Sequence, residues 1–271
     1  MTMRGPSAEA LATLETQLDQ SIGEVGTRKA AEVGDDLFAV SQVLRSTPSL
    51  RRVLTDASIE GPAKQELVRQ LFDGKVDAIS MVLIGTAVGR RWTAGRDLAD
   101  ALEALSEIAV ARSAGDNVGR VVDELFAVAQ VVSANPELRD ALSDPARSVD
   151  DKVALVDGLL SGKALAATVT LVKQALAGTY RTVPVALATY QRVAARVQQQ
   201  RVATVLSARP LSEDDRTRLG AALSRQYGRQ IHLNVQVDPE LIGGLRVEIG
   251  DDVIDGSVLN RLAEARRALA G

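Results

Sequence analysis

The residues that could do chemistry are few, and their spacing completes no reactive set. The chain has a single histidine, His232, and no cysteine. No second histidine or triad motif is present to complete nucleophilic chemistry around His232, and without cysteine there are no thiolate metal sites. His232 falls on the polar phase of an alternating segment, where a solvated strand position accounts for it. Gly158-Leu-Leu-Ser-Gly-Lys163 has three residues between its glycines and no Ser or Thr after the lysine. A phosphate loop needs four residues there and then Lys-Ser/Thr, so neither this segment nor Gly61-Pro-Ala-Lys64 is one. Asp251, Asp252 and Asp255 bring carboxylates together without the oxygen pattern of a Ca²⁺ loop; turn formation and helix capping account for them. Gly243-Gly244 precedes a strand rather than joining a strand to a helix, which is the wrong context for a dinucleotide. The pair reads as a bulge, tight turn or close approach. No catalytic residue, metal ligand or cofactor is expected.

The elements around these residues must therefore serve packing. Of 271 residues, 46% are hydrophobic but only 3% aromatic, so cores are built from Ala, Leu and Val, which suits close-packed helices. The net charge of −3, with acids and bases intermixed, gives no electrostatic case for nucleic acid. Met1 to Ala12 lacks the apolar core of a signal peptide. The longest apolar run, Ala78 to Val88, is short of the ~20 residues of a membrane span and contains Gly85. The expectation is a chain that is soluble, or peripheral through partners.

The chain repeats itself. Residues 33–75 align without gaps on 121–163, an offset of 88, with 19 identities in 43 positions. Val33, Asp35, Leu37-Phe38-Ala39-Val40 and Gln42-Val43 recur as Val121, Asp123, Leu125-Phe126-Ala127-Val128 and Gln130-Val131. Further on, the register still sets Trp92 against Tyr180. Leu37, Val40 and Leu44, like Leu125, Val128 and Val132, follow helical i, i+3, i+7 spacing. Pro48 and Pro136 sit where a short helix begins, and Gly74 and Gly162 where one stops. An additional helix, Ser7 to Ser21, leads the first copy. The leading helix of the second is expected from Asp97 to Arg112, with a break near Ser113–Gly119.

After Gln200 the pattern changes. Val202 to Leu206 reads as a strand. Ser212 with Asp215 reads as a helix cap, opening a helix that runs to about Tyr227. Ile231, Leu233, Val235 and Val237 alternate with polar residues, as do Leu245, Val247 and Ile249; Val253-Ile254 is placed to pair back. Ser257 caps a final helix carrying Val258, Leu262, Ala265 and Leu269. The fold class is α+β: mainly α, two related helical bundles followed by a small α/β domain. The boundaries expected are 1–112, 113–200 and 201–271.

Residues 201–271 resemble the C-terminal domain of the ATP synthase delta subunit, or oligomycin-sensitivity-conferring protein, family. Ile231, Leu233, Val237, Asp238, Leu241, Gly243, Gly244, Leu245, Val247, Glu248 and Gly250 carry the likeness, and Asp255-Gly-Ser257 and Leu262 continue it. The helical part resembles the family's six-helix bundle more weakly and carries it twice, as in the long actinobacterial-type form. The resemblance implies a non-catalytic stator subunit of the rotary proton-translocating ATP synthase. A helical bundle would grip N-terminal segments of the alpha subunits, and the C-terminal domain would hold the b-type peripheral stalk. One copy per complex is implied, at the cytoplasmic face of a bacterial plasma membrane, with membrane association only through the complex. The structural signature residues are then Asp238, Leu241, Gly243, Gly244, Gly250, Asp255 and Ser257. Trp92 and Tyr180 have two readings, partner anchors or caps on a bundle core. Arg192 and Arg196 likewise form a solvated face or meet a partner's carboxylates. The alternative to the stator role is a free-standing helical adaptor or regulator that binds amphipathic helices.

Overall fold

The computed structural model describes residues 3–23, 26–144, 146–199, 202–227, 231–238, 241, 243–249 and 252–255. Among them the chain forms two compact units, Met1–Ala195 and Arg196–Gly271.

The first unit is helical. Its first six helices are α1 (Pro6–Gly23), α2 (Gly26–Ser46), α3 (Pro48–Thr55), α4 (Gly61–Phe72), α5 (Ala78–Val88) and α6 (Gly95–Ser113). A 3-10 turn at Gly115–Asn117 leads into α7 (Val118–Ala134), α8 (Pro136–Ser143), α9 (Val149–Leu160), α10 (Ala166–Ala177) and α11 (Val183–Gln199). The offset of 88 carries straight into the backbone: α3 and α8, and α4 and α9, begin and end at matching positions. Pro48 and Pro136 open their helices, where the missing N–H costs no hydrogen bond. Gly74 and Gly162 adopt φ of 69° and 73° just past α4 and α9, and Lys75 and Lys163 amides return to Phe72 and Leu160 carbonyls at 2.9 and 3.0 Å.

The sequence pattern suggested three domains with a boundary at residue 112. The structure instead keeps both repeats in one unit, and α6 is the reason. Nearly every residue of α6 from Leu98 to Ala111 is buried, polar ones included. It packs against α1, α2, α3 and α5 of the first repeat and against α7 and α10 of the second. Shifted by 88, α1 would span 94–111, which is where α6 lies, so α6 closes one helical set and opens the next. The expected break after Ser113 shrinks to the 3-10 turn.

The second unit is a four-stranded sheet with one helix. Strands β1 (Val202–Ser207), β2 (His232–Val237), β3 (Leu245–Ile249) and β4 (Asp252–Asp255) lie in the order β2-β1-β3-β4. β1 and β2 are parallel, joined through α12 (Glu213–Tyr227), while β3 runs antiparallel to both β1 and β4. Alternate residues Ala203, Val205, Val247 and Ile249 bury one face with Leu223 and Ile231, backed by Leu219, Tyr227, Leu233 and Val235. Ser212 opens α12 as expected: its Oγ accepts from the Asp215 amide at 3.1 Å and donates to Asp215 Oδ2 at 2.7 Å. The expected final helix from Ser257 lies outside the described residues, as do Gly228, Gly250 and Asp251.

Candidate interaction surfaces

Helix α5 has no polar face to give to solvent. Its sequence, Ala-Ile-Ser-Met-Val-Leu-Ile-Gly-Thr-Ala-Val, carries two hydroxyls and no charge. Leu83, Ile84, Ala87 and Val88 enter the core. The opposite side leaves Val82 54% exposed, with Ile79, Met81, Gly85 and Thr86 half-buried around it. The Thr86 hydroxyl turns back onto the Val82 carbonyl at 2.9 Å, and Gln65 Nε2 donates to the Gly85 carbonyl at 3.2 Å. Trp92 closes the helix end by donating Nε1 to the Ala87 carbonyl at 3.0 Å.

The equivalent side of α10 is polar, with Gln174 buried and Thr170 and Lys173 half-buried. Thr170 stands where Val82 does, Lys173 where Gly85 does, and Gln174 where Thr86 does. Lys173 pairs with Asp157 at 2.7 Å. It also faces Asp35 on α2, where it partly offsets the rise that burial and then Asp36 impose on that carboxyl. Gln174 is buried and donates Nε2 to Ser106 Oγ at 3.0 Å, and Ser106 Oγ donates to the Gly34 carbonyl at 2.7 Å. Helices α2, α6 and α10 therefore meet at one point. Gly34 makes this possible, since a Cβ there would lie 2.6 Å from Val110 Cγ2 and 3.2 Å from the Val110 nitrogen.

A second polar feature ties the repeats together. Asp100, Glu103 and Glu107 on α6 are all buried. Arg45 of α2 bonds Asp100 at 2.7 Å and also Glu103. Glu103 accepts the Thr179 amide at 2.9 Å, and Glu107 accepts the Tyr180 hydroxyl at 2.8 Å. Tyr180 meets Tyr190 edge-on, centroids 5.5 Å apart. Burial pushes the Glu103 carboxyl above its usual range, against the pull of the Thr179 amide and Arg45. Burial, and then Glu107, hold both phenols protonated. Asp100 Oδ2, Arg45 Nε and the Tyr190 hydroxyl are buried without a hydrogen-bond partner among the described residues. The groups are engaged with one another across a helix seam, which suits registry of the two repeats rather than turnover. Among the described residues no cluster of His, Asp or Glu could hold a metal ion.

In the second unit, Gly244 takes φ of 86° immediately before β3, a backbone conformation that favours glycine. The Asp238 amide donates to the Ser207 carbonyl at 2.9 Å, and the Leu241 amide to the Asp238 carbonyl at 3.2 Å. The first of these bonds continues the β1–β2 pairing by one residue. Asp255 ends β4 opposite Arg246 of β3. Asp238, Leu241, Gly243, Gly244 and Asp255 lie in or between β2, β3 and β4, while Gly250 and Ser257 lie outside the described residues.

Residues 101–269 match the family model described as ATP synthase delta (OSCP) subunit. The chain belongs to that family. A Nocardioides sp. protein named ATP synthase subunit delta is 56% identical, covering 100% of this chain and 98% of its own. Proteins of the same name from Kineococcus radiotolerans and Acidothermus cellulolyticus are 43% and 41% identical, with 98% and 99% of this chain covered. In this delta-family chain the matched segment begins within α6, so it takes in the second repeat and the C-terminal unit and leaves α1–α5 outside it.

The two aromatic candidates find partners within the chain, Trp92 on the end of α5 and Tyr180 on Glu107. Both are half-buried. Arg192 is exposed and folds back on its own helix, Nε to the Ala188 carbonyl at 3.3 Å and Nη2 to Thr189 Oγ1 at 3.1 Å. Arg196 is exposed one turn further on. His232 lies in β2, and its side chain is outside what is described. Two features escaped the sequence reading. Carboxylates at 100, 103 and 107 recur at i, i+3, i+7 within Leu98–Ala111, whose other residues except Ser106 are apolar, a spacing that signals a buried polar stripe. The second feature is the run Ala78–Val88, too short for a membrane span. Its lack of any polar face was the signal for an apolar surface.

Proposed function

We propose that this chain is the stator connector of a bacterial rotary ATP synthase. The observation that carries the proposal is similarity over the full chain to proteins named ATP synthase subunit delta. In this reading the helical region, residues 1–200, holds N-terminal segments of the alpha subunits on the catalytic head. The C-terminal domain, residues 201–271, holds the b-type peripheral stalk. The work is mechanical: rotor torque would turn the head unless an outer connector held it. That task requires packing surfaces and no acid or base. The apolar side of α5 suits it, because an amphipathic helix can lay its i, i+3, i+4, i+7 edge there. Two moderate contacts on one chain reinforce each other when both can engage at once. The complex places the chain peripherally at the cytoplasmic face of the plasma membrane; no described helix is long and apolar enough to cross a membrane.

The test is reconstitution. ATP synthase membranes stripped of their delta-type subunit should regain head binding and proton-coupled ATP synthesis when this protein is added. A folded sample that binds neither the head nor the b subunits would overturn the proposal in favour of the free-standing adaptor.

A further inference from the structure

One guanidinium serves two buried carboxylates where α6 meets the second repeat. The Asp100 and Glu103 side chains are 2% and 1% exposed, and Arg45 of α2, 22% exposed, bonds both. One cation cannot neutralise two anions, and a net charge held out of water is costly. Asp100 Oδ2 is in addition buried without a hydrogen-bond partner among the described residues. A single proton held by the pair balances the charge, and the two carboxyls, three residues apart, share one side of α6. Arg45 and Asp100 are the charged groups that act on Glu103. Other cations around α6 are engaged elsewhere. Arg51 of α3 donates to the Leu44 and Arg45 carbonyls, at 3.0 and 3.4 Å. Lys173 of α10 pairs with Asp157, Arg120 of α7 with Glu124, and Arg112 of α6 with Asp19 of α1. Arg192 folds back on α11, and α5 carries no charge. Glu107, Tyr180 and Tyr190 complete the surroundings and add no positive charge.

Glu103 also fastens the link between α10 and α11. Its Oε1 accepts the Thr179 amide at 2.9 Å, and a Cβ at Gly178 would overlap the same oxygen, so the backbone rests directly on the carboxyl. The matched link of the first repeat is held without a carboxylate. There Trp92 Nε1 and the Arg90 amide bond the Ala87 carbonyl, at 3.0 and 3.1 Å, and the Thr93 amide bonds Ser7 Oγ at 2.7 Å. Across the offset of 88, the positions matching Asp100 and Arg45 are Ala12 and Ser133, so the charge pair occurs once in the duplicated plan. We propose that Arg45, Asp100 and Glu103 form a proton-operated clasp that holds the α10–α11 link of the second repeat on α6. With the proton bound, the seam is neutral and the link is closed. When the proton leaves, a net negative charge is trapped beneath the link, and opening to water relieves it. Burial raises the Glu103 carboxyl, which agrees with this direction.

Hydrogen–deuterium exchange on the full chain tests this, followed from about pH 5 to about pH 8 and corrected for intrinsic exchange. Segment 178–182 is read against segment 90–93 of the same molecule. Protection at 178–182 should fall as pH rises, by up to about tenfold per pH unit between the exposed and closed carboxyl values, while 90–93 stays level. The wild-type course needs no variant to fold. Glu103→Gln keeps an acceptor for the Thr179 amide and removes the titration, so protection at 178–182 should no longer depend on pH. Asp100→Asn should do the same by leaving Arg45 one carboxylate to balance. Parallel pH courses for the two segments in the wild-type chain, or a folded variant that retains the wild-type fall, would overturn the proposal. The stator reading stands apart from either result.

Discussion

Tyr180 donates its hydroxyl to Glu107 Oε1 at 2.8 Å, and this bond fastens the α10–α11 link of the second repeat to the helix both repeats share. The neighbouring Tyr190 hydroxyl, fully buried on α11, has no hydrogen-bond partner among the described residues. The two phenols should respond oppositely to the same substitution. Tyr180→Phe removes a bond to a buried carboxylate and should cost about 1–3 kcal/mol. Tyr190→Phe removes an unsatisfied group and should be neutral or slightly stabilising. Urea unfolding of both variants checks this; equal losses would mean that the seam is not organised as described.

Close approach of α2 to α6 depends on the absence of a side chain at Gly34. Gly34→Val drives methyl groups into Val110 and should cost about 1–3 kcal/mol by overpacking. Gly158→Ala is the control, since nothing lies within 4 Å of a Cβ there. If Gly34→Val melted like wild type, the two helices would have to lie further apart than they do here.

The pH dependence of stability should bear the mark of Glu103. Its carboxyl titrates above the ordinary 4.5, chiefly through burial. Between the unfolded and folded values the native state holds more protons than the unfolded one. Its contribution is therefore fully present below the unfolded value and is lost as pH rises through the folded value. Asp77 works in the opposite sense. The bond from Lys29 lowers its carboxyl, so its contribution is present above the unfolded value and fades as pH falls through the folded one. Glu103→Gln should flatten the decline on the alkaline side of 4.5. An unchanged slope in pH-dependent denaturation would rule out Glu103 as its source.

Gly244→Val should destabilise the C-terminal unit by about 1–2 kcal/mol, because φ of 86° sets a Cβ against the backbone. Loss of b-subunit binding should accompany it. Wild-type melting together with wild-type b binding would show that the turn tolerates a side chain.

Much of the fold was legible because its signals are local. Pro48 and Pro136 start helices through their own covalent geometry, and Ser212 caps α12 with an atom three residues from its partner amide. The alternation of Leu245, Val247 and Ile249 states which side of β3 is buried, and the 88-residue offset states that one helical plan is used twice. The candidate surfaces were less legible. Trp92 and Tyr180 were visible as a matched pair, yet nothing local distinguishes a bond to the Ala87 carbonyl from one to Glu107, which is 73 residues away.

The sequence by itself determined the helices, their caps, the repeat and the family signature of the C-terminal unit, since each depends on residues close together in the chain. Only the tertiary structure decided that α6, expected to lead the second repeat, is buried against helices of both, and that Arg45, Asp100, Glu103 and Glu107 share one buried seam. The physical reason is that burial is a property of what lies opposite. Val82 and Thr170 occupy the same position in the same plan, yet the first is exposed and the second half-buried.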